Sequence, residues 1–296
     1  MTTGRLSVAA PAYNEAEGIG PLVESWLAYL RSSATVREFE IVICNDGSRD
    51  QTGAILDQLA ARNAEVRPVH HRVNQGAAAA VATAIVHTTG DWVLLMDSDG
   101  QFPIGNLPRM CEAAHSAAAV IGVRQRKLDS PWARFGSWAS GALCNCFHRS
   151  RIRDFNCALK LVAGPLARSL PLEARGLNYS GEITSRLLEA GVPLAEVVVE
   201  HRPRGHGVSS ARAWRSARDR FLFVVYIGLR QLLLQKQVLR RNRYDGSGDR
   251  APVTGPAGLG GDAGHVEGRS VLRRPGIEHD HPGVHPLAAG ETVPSR

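Results

Sequence analysis

The sequence lacks several signatures that would settle its chemistry at once. No G-x-G-x-x-G follows the first strand-like run and no G-K-[ST] phosphate loop occurs, which argues against a dinucleotide dehydrogenase or a P-loop enzyme. The five cysteines, Cys44, Cys111, Cys144, Cys146 and Cys157, are odd in number and form no C-x-x-C framework. That excludes a disulfide scaffold and leaves Cys144-x-Cys146 a poor zinc signature, so reduced thiols in a cytosolic protein are expected. No apolar run approaches the length of a membrane-spanning helix, and the N-terminal residues show no signal-peptide core. No reader motif for nucleic acid is present and the basic residues are dispersed, so no nucleic-acid partner is expected.

What is present is a soluble core composition and a basic balance. The 296 residues are 44% hydrophobic with a formal charge of +7, and the pI is near 9.5. That balance favours anionic partners such as nucleotides or phospholipid surfaces. Residues 91–101, DWVLLMDSDGQ, concentrate the chemistry. Val93 to Met96 read as a strand buried on both faces. The run ends in Asp97-Ser98-Asp99-Gly100-Gln101. In extended chain Asp97 and Asp99 lie on one side with Ser98 on the other. Two carboxylates at the end of a buried strand form a hard-oxygen site suited to Mg²⁺ or Mn²⁺ holding a diphosphate. The alternative for an isolated D-x-D is a solvated acidic turn.

The preceding chain repeats strand, polar loop and helix three times. Leu6–Ala10 reads as a strand stopped by Pro11, and Ile19 to Leu30 recur at helical spacing. Phe39–Cys44 is a second strand, with Ser48 or Asp50 able to cap the next helix. Val66–His70 is a third, and Asn74-Gln75-Gly76 opens an alanine-rich helix. This alternation predicts a mostly parallel sheet flanked by helices. Such sheets bind ligands at the carboxyl ends of their strands, where Tyr13-Asn14-Glu15, Asn45-Asp46-Gly47-Ser48 and Asp97-Ser98-Asp99 all fall. Later segments predict strands near 118–123, 156–162 and 194–200, and helices over 131–147 and from Gly181-Glu182 onward. Trp214 to about Arg241 is a long amphipathic helical pattern with basic flanks. From Tyr244 onward the composition predicts disorder.

PAYNEAEGI, VICNDGSRDQT, NQGAAAAV and MDSDGQ, in this order and spacing, resemble the nucleotide-binding half of a GT-A family 2 inverting glycosyltransferase. GVRQR, RDFNCALKL, YSGEI and VEHRPRGHGVSS resemble its dolichol-phosphate mannose synthase-like branch, which includes polyprenyl-phosphate glycosyltransferases. The resemblance covers roughly residues 5–235. It implies a catalytic domain over 1–210, an interfacial helix over 211–243 and a tail over 244–296. It also implies residue roles. Pro11, Tyr13 and Glu15 match the loop packed on the nucleoside, and Asp46 the acid at its base or ribose. Gln75 and Gly76 match donor contacts. Asp97 and Asp99, with Ser98 between them, match the pair at the metal and donor diphosphate, and Gln101 a third metal-side ligand. Arg124, Arg134 and Arg204 match phosphate-binding residues, and Glu182 an acid near the sugar. Two positions depart from the family pattern: Asn45 replaces an acid, and Ala77 stands where a lysine is common.

The implied reaction moves a hexose from GDP-mannose or UDP-glucose to a polyprenyl or dolichyl phosphate, with inversion and a divalent metal. An anionic phosphate attacks without a strong general base, so arginines to hold it matter more. Glu182 could orient a sugar hydroxyl, or simply favour a helix N-terminus. Asp154 is expected to hold the neighbouring strand through a turn hydrogen bond. The lipid acceptor implies peripheral association with the cytoplasmic face of a membrane, with the 214–241 pattern in the interface or packed on the core or on a twin subunit. A family 2 transferase with a UDP-sugar and a glycan or small-molecule hydroxyl acceptor is the nearest alternative, and would need a base. A non-catalytic scaffold on the same fold would be expected to lose the D-x-D carboxylates.

Overall fold

The computed structural model describes residues 4–125, 131–173, 178–203 and 221–234. Four parallel units come first: β1 (Arg5–Ala12), α1 (Ile19–Ser32), β2 (Glu38–Asn45), α2 (Thr52–Arg62), β3 (Val66–His70), α3 (Ala77–Val86) and β4 (Trp92–Leu95). Then follow α4 (Leu107–Ala113), β5 (Ala119–Arg124), α5 (Pro131–His148), β6 (Lys160–Ala163), α6 (Gly164–Ser169), α7 (Tyr179–Glu189) and β7 (Leu194–Val199). A last described helix, α8, spans 221–234. The strands form one seven-stranded sheet in the order β3-β2-β1-β4-β6-β5-β7. Only β6 runs antiparallel, against β4 and β5. The expected mostly parallel sheet is therefore observed, and the strand order reverses between β1 and β4. That is where a crevice opens at the strand ends of such a sheet.

Alternation along the strands builds two cores. Val8, Ala10, Ile41, Ile43, Leu94 and Leu161 face Ile19, Val23, Trp26 and Leu56 of α1 and α2. Ala9, Val42, Val93, Leu95 and Val162 face Ala78, Val81 and Ile85 of α3 and Ile183 and Leu187 of α7. Both faces of the central strands are thus covered, as a parallel sheet requires. A third cluster joins α8 to the body: Phe223, Val224 and Ile227 pack with Cys144 and Phe155. A Cβ at Gly228 would meet the Phe147 ring at 2.8 Å, so α8 and α5 approach closely there.

Pro11 does not stop β1, contrary to expectation; the strand continues to Ala12, with Pro11 opposite Cys44 of β2. The pairing of β1 with β4 ends at Ala9 and Leu95. The Pro11 carbonyl faces that side and accepts from Ser98 Oγ at 2.6 Å. In a parallel strand a residue's N–H and C=O point the same way, so the donor that proline lacks would have had no ladder partner there. The strand expected over 156–162 is shorter and later, Lys160–Ala163.

The opposite end of the sheet holds a buried acid. Glu40 is fully buried on β2 and accepts from Ser7 Oγ at 2.7 Å, Thr89 Oγ1 at 2.9 Å and Arg5 at 3.2 Å, and from Arg67. Burial raises its pKa, but the hydrogen bonds from Ser7, Thr89 and Arg67 outweigh that and bring it down to about 2. A carboxylate depressed below its ordinary value stabilises the fold above that ordinary value and loses the contribution as pH falls through the folded one. Between pH 4.5 and about 2 the protein should therefore lose about 3 kcal/mol from this group. Denaturant unfolding of Glu40→Gln across that window should show a markedly shallower acid dependence; an unchanged slope would remove Glu40 from this role.

Candidate active site

The loops after β1 and β2 are tied into one unit. Asn14, with φ at 54°, donates its backbone N–H to Ser48 Oγ at 3.0 Å, and its side-chain oxygen accepts from Arg49 N at 2.9 Å. Glu15 N–H reaches Thr52 Oγ1 at 2.9 Å, and Ala16 N–H reaches Asp50 Oδ2 at 3.1 Å. Asp50 Oδ1 also accepts from Thr52 N–H at 3.0 Å, although the N-cap position of α2 is Gln51 and carries no side-chain cap, so neither Ser48 nor Asp50 is the cap expected there. Gly47 makes the turn with φ at 65°, and a Cβ there would lie 2.4 Å from the Val73 backbone. Tyr13 and Glu15 are thereby set at the crevice by the second loop, Tyr13 half-buried and Glu15 buried.

Asp46 organises the third loop. Its carboxylate accepts from the backbone N–H of Gln75 and of Gly76, both at 2.8 Å, and contacts His71 Nδ1 at 2.8 Å. It is almost completely buried. These bonds spend its carboxylate on shaping the Asn74-Gln75-Gly76 turn into α3. Asn45 likewise bonds inward: Nδ2 to His70 Nδ1 at 3.0 Å, and Oδ1 from Ser48 N–H at 3.2 Å. The amide replacing the family's acid therefore keeps the 45–48 turn closed. His70 and His71 are site-edge residues that the sequence reading passed over. Their place at the end of β3, level with the other loops, was the available signal.

Past β4, Ser98 points into the body while Asp97 and Asp99 stay partly exposed, as the alternation predicts. Ser98 is buried and spends its hydroxyl on Pro11. The Tyr179 hydroxyl donates to Asp97 Oδ1. Asp99 Oδ1 accepts from Gln101 N–H at 3.0 Å. Gln101 turns its side-chain amide to the Arg202 carbonyl at 3.3 Å, and Arg202 N–H bonds the Gln101 carbonyl at 2.8 Å. The start of the basic loop is thus fastened beside the D-x-D, with His201 buried against Phe102 at 5.0 Å between ring centroids. A cavity of about 340 Å³ is lined here by Glu15, Gly18, Ser98, Asp99, Gly100 and Arg202.

Arg124 forms a two-pronged pair with Asp154, Nε to Oδ2 at 2.8 Å and Nη2 to Oδ1 at 3.0 Å. Asp154 also accepts from Arg124 N–H at 3.2 Å, so it fastens the end of β5. Arg134 is exposed on α5. Arg204 lies outside the described residues, as do most of the basic flanks of the 214–241 pattern and the tail over 244–296. Glu182 is fully buried in the first turn of α7, where Oε1 accepts from Glu173 N–H at 2.9 Å and Arg186 Nη2 at 3.0 Å.

Residues 7–164 match glycosyl transferase family 2. The chain belongs to that family. Among curated relatives of this family 2 chain is the undecaprenyl-phosphate 4-deoxy-4-formamido-L-arabinose transferase of Pseudomonas paraeruginosa, 31% identical over 71% of this chain and 61% of that one. Another is the dolichyl-phosphate beta-glucosyltransferase of Trichomonas vaginalis, 30% identical over 54% of this chain and 52% of that one. The chain therefore spans only part of the relatives it matches. Of the solved structures, the Pyrobaculum calidifontis mannosyltransferase in complex with GDP-mannose and Mn²⁺ aligns at a TM-score of 0.52 and 19% identity, covering 76% of this chain and 65% of that one. The GT-A fold expected from the sequence is the fold observed.

The residues of this family 2 chain fit a divalent ion in part by themselves. Asp97 and Asp99 supply hard oxygens at the crevice, the donor chemistry Mg²⁺ and Mn²⁺ prefer. Among the described residues no three or more His, Cys, Asp or Glu side chains converge on one metal position. Diphosphate and water oxygens would have to complete the shell, which suits an ion held jointly with a nucleotide. Sequence reasoning missed two neighbours of this pair. Tyr179 sits in the quoted YSGEI. Lys160 interrupts the apolar run Ala158 to Val162, and a charge within a buried strand was the sign to follow. Its ammonium is fully buried and donates to the Cys157 carbonyl. Burial pushes its pKa down to about 8, although Asp154 and Asp97 pull it the other way.

Proposed function

We propose that this chain transfers a hexose from a nucleoside diphosphate sugar, GDP-mannose or UDP-glucose, to a polyprenyl phosphate with inversion. The observation that carries the reading is the position of Asp97 and Asp99 just past β4, at the carboxyl end of the sheet, with Asp99 lining one cavity with Glu15. The relatives' names supply the acceptor class, since both act on a polyprenyl or dolichyl phosphate. A divalent ion bound at Asp97 and Asp99, Mg²⁺ or Mn²⁺, supplies neutralisation of the charge that develops on the departing diphosphate. Glu15 and Tyr13 form the wall against which the nucleoside packs. Asp46, held by the Gln75 and Gly76 N–H groups, is the acid proposed to meet the base or ribose.

The acceptor phosphate is anionic at neutral pH and attacks directly from the side opposite the leaving group, which inverts the anomeric carbon. Its reception requires cations more than a base. Arg134, exposed on α5, and Arg204 are the proposed contacts, with Arg124 fixed in place by Asp154. A hydroxyl acceptor would need a proton acceptor, and Glu182 is committed to Arg186 in the interior. That observation favours the phosphate. Incubating the full chain with Mg²⁺ or Mn²⁺, a polyprenyl phosphate and radiolabelled sugar nucleotides tests the reading. Label extracted into the organic phase is expected; label appearing only in a water-soluble glycan would replace it with the hydroxyl-acceptor reading.

The same reading includes peripheral attachment to the cytoplasmic face of a membrane. No helix among the described residues is long and apolar enough to cross one. Two helices that pack together nevertheless expose large apolar side chains: Phe135, Trp138 and Leu143 on α5, and Phe221, Leu222, Leu229, Leu232 and Leu233 on α8. Rows of this kind on a basic protein suit an anionic lipid surface. Removing α8 would uncover the Phe223, Val224 and Ile227 cluster, so substitution is the cleaner probe. Serine at Leu229, Leu232 and Leu233 together should lower flotation with anionic liposomes about ten-fold or more, each leucine contributing on the order of 1 kcal/mol. Undiminished flotation would remove α8 from the membrane contact.

A further inference from the structure

Tyr179 is the first residue of α7 and is buried. Its ring lies in the core cluster with Val93, Leu95 and Ile183, on the α3 and α7 face of the sheet. From there its hydroxyl reaches up to Asp97 Oδ1. This hydrogen bond fixes the orientation of the carboxylate. Rotation of the Asp97 carboxylate would break it. The helix that carries Tyr179 is itself fixed: seven residues on, Arg186 is buried and bonds Tyr226 of α8 at 2.9 Å.

We propose that Tyr179 is a positioning residue for Asp97, holding Oδ1 in the orientation in which the carboxylate meets the cation of the donor. The assignment rests on the donor-site reading above. Outer partners of metal-ligating side chains typically contribute ten- to hundred-fold in metal affinity. Phenylalanine keeps the buried ring and deletes only the hydroxyl, so the thermal transition should survive.

The test is Mn²⁺ titration of the full-length protein by electron paramagnetic resonance, in the presence of UDP and, separately, GDP. Tyr179→Phe should raise the Mn²⁺ Kd about ten-fold or more, and raise the Mn²⁺ concentration needed for half-maximal transfer by the same factor. In an Asp97→Asn background the Tyr179→Phe change should add less than about two-fold, because the bond it removes no longer orients a charged ligand. A variant that is merely destabilised would weaken Mn²⁺ binding equally in both backgrounds, and that result overturns the assignment. An unchanged Kd for Tyr179→Phe overturns it too, while leaving the donor site standing. If the wild-type protein binds no Mn²⁺ with either nucleotide, the donor-site reading and the Tyr179 assignment fall together.

Discussion

Asp97→Asn and Asp99→Asn should each lower sugar transfer about 10²–10³-fold with little change in thermal stability. Asparagine is nearly isosteric and keeps an oxygen at each position where the structure uses one. At residue 97 that oxygen still accepts from the Tyr179 hydroxyl, and at residue 99 it still accepts from Gln101 N–H. What disappears is one unit of negative charge at the crevice. The loss should therefore fall on turnover and on the requirement for a divalent ion rather than on folding. Chelation with EDTA should abolish wild-type transfer, and raising Mn²⁺ should recover the variants only partly. Two variants that work at wild-type speed in EDTA would end the account of this site, whatever the fold.

The first half of this arrangement was legible because it is local and repetitive. Apolar runs ending in polar turns fix β1 to β4 and put their motifs on one edge, and the D-x-D alternation survives in the buried Ser98 between two partly exposed aspartates. The order of the loops was readable; their consumption of each other was not. The 2.8 Å bonds from Gln75 and Gly76 to Asp46 arise only once β2 and the start of α3 are side by side. Pro11 looks like a strand stop because the rule for proline concerns ladder bonds, and β4 happens to end before that bond is needed. Lys160 and Tyr179 come from the irregular second half, more than 60 residues after Asp97. Only the antiparallel insertion of β6 between β4 and β5 brings that half beneath the D-x-D.

Glu182 shows why motif and environment have to be weighed together, and it leads to the largest stability effect expected here. Its carboxylate and the Arg186 guanidinium are both about fully buried, at 0% and 1% side-chain exposure, 3.0 Å apart one helical turn along α7. Arg186 also reaches Glu189 at 3.2 Å, Glu173 at 3.3 Å and the Tyr226 hydroxyl at 2.9 Å. Arg230 and Gln231 of α8 bond Glu189 in turn, at 3.2 and 2.8 Å. One arginine thus neutralises an interior glutamate and links α7 to α8. Removing it leaves that glutamate charged in the core, which costs about 3–5 kcal/mol. Arg186→Met should therefore lower Tm by about ten degrees, at a few degrees per kcal/mol for a domain of this size. Arg186→Met combined with Glu182→Gln should recover a large part of the loss, since a neutral amide is far cheaper to bury unpaired than a carboxylate. Glu182→Gln alone should lower Tm while leaving the KM for the sugar nucleotide unchanged. A selective rise in that KM with an unshifted Tm would instead place Glu182 at the sugar, and the interior ion pair would no longer explain why the glutamate is there.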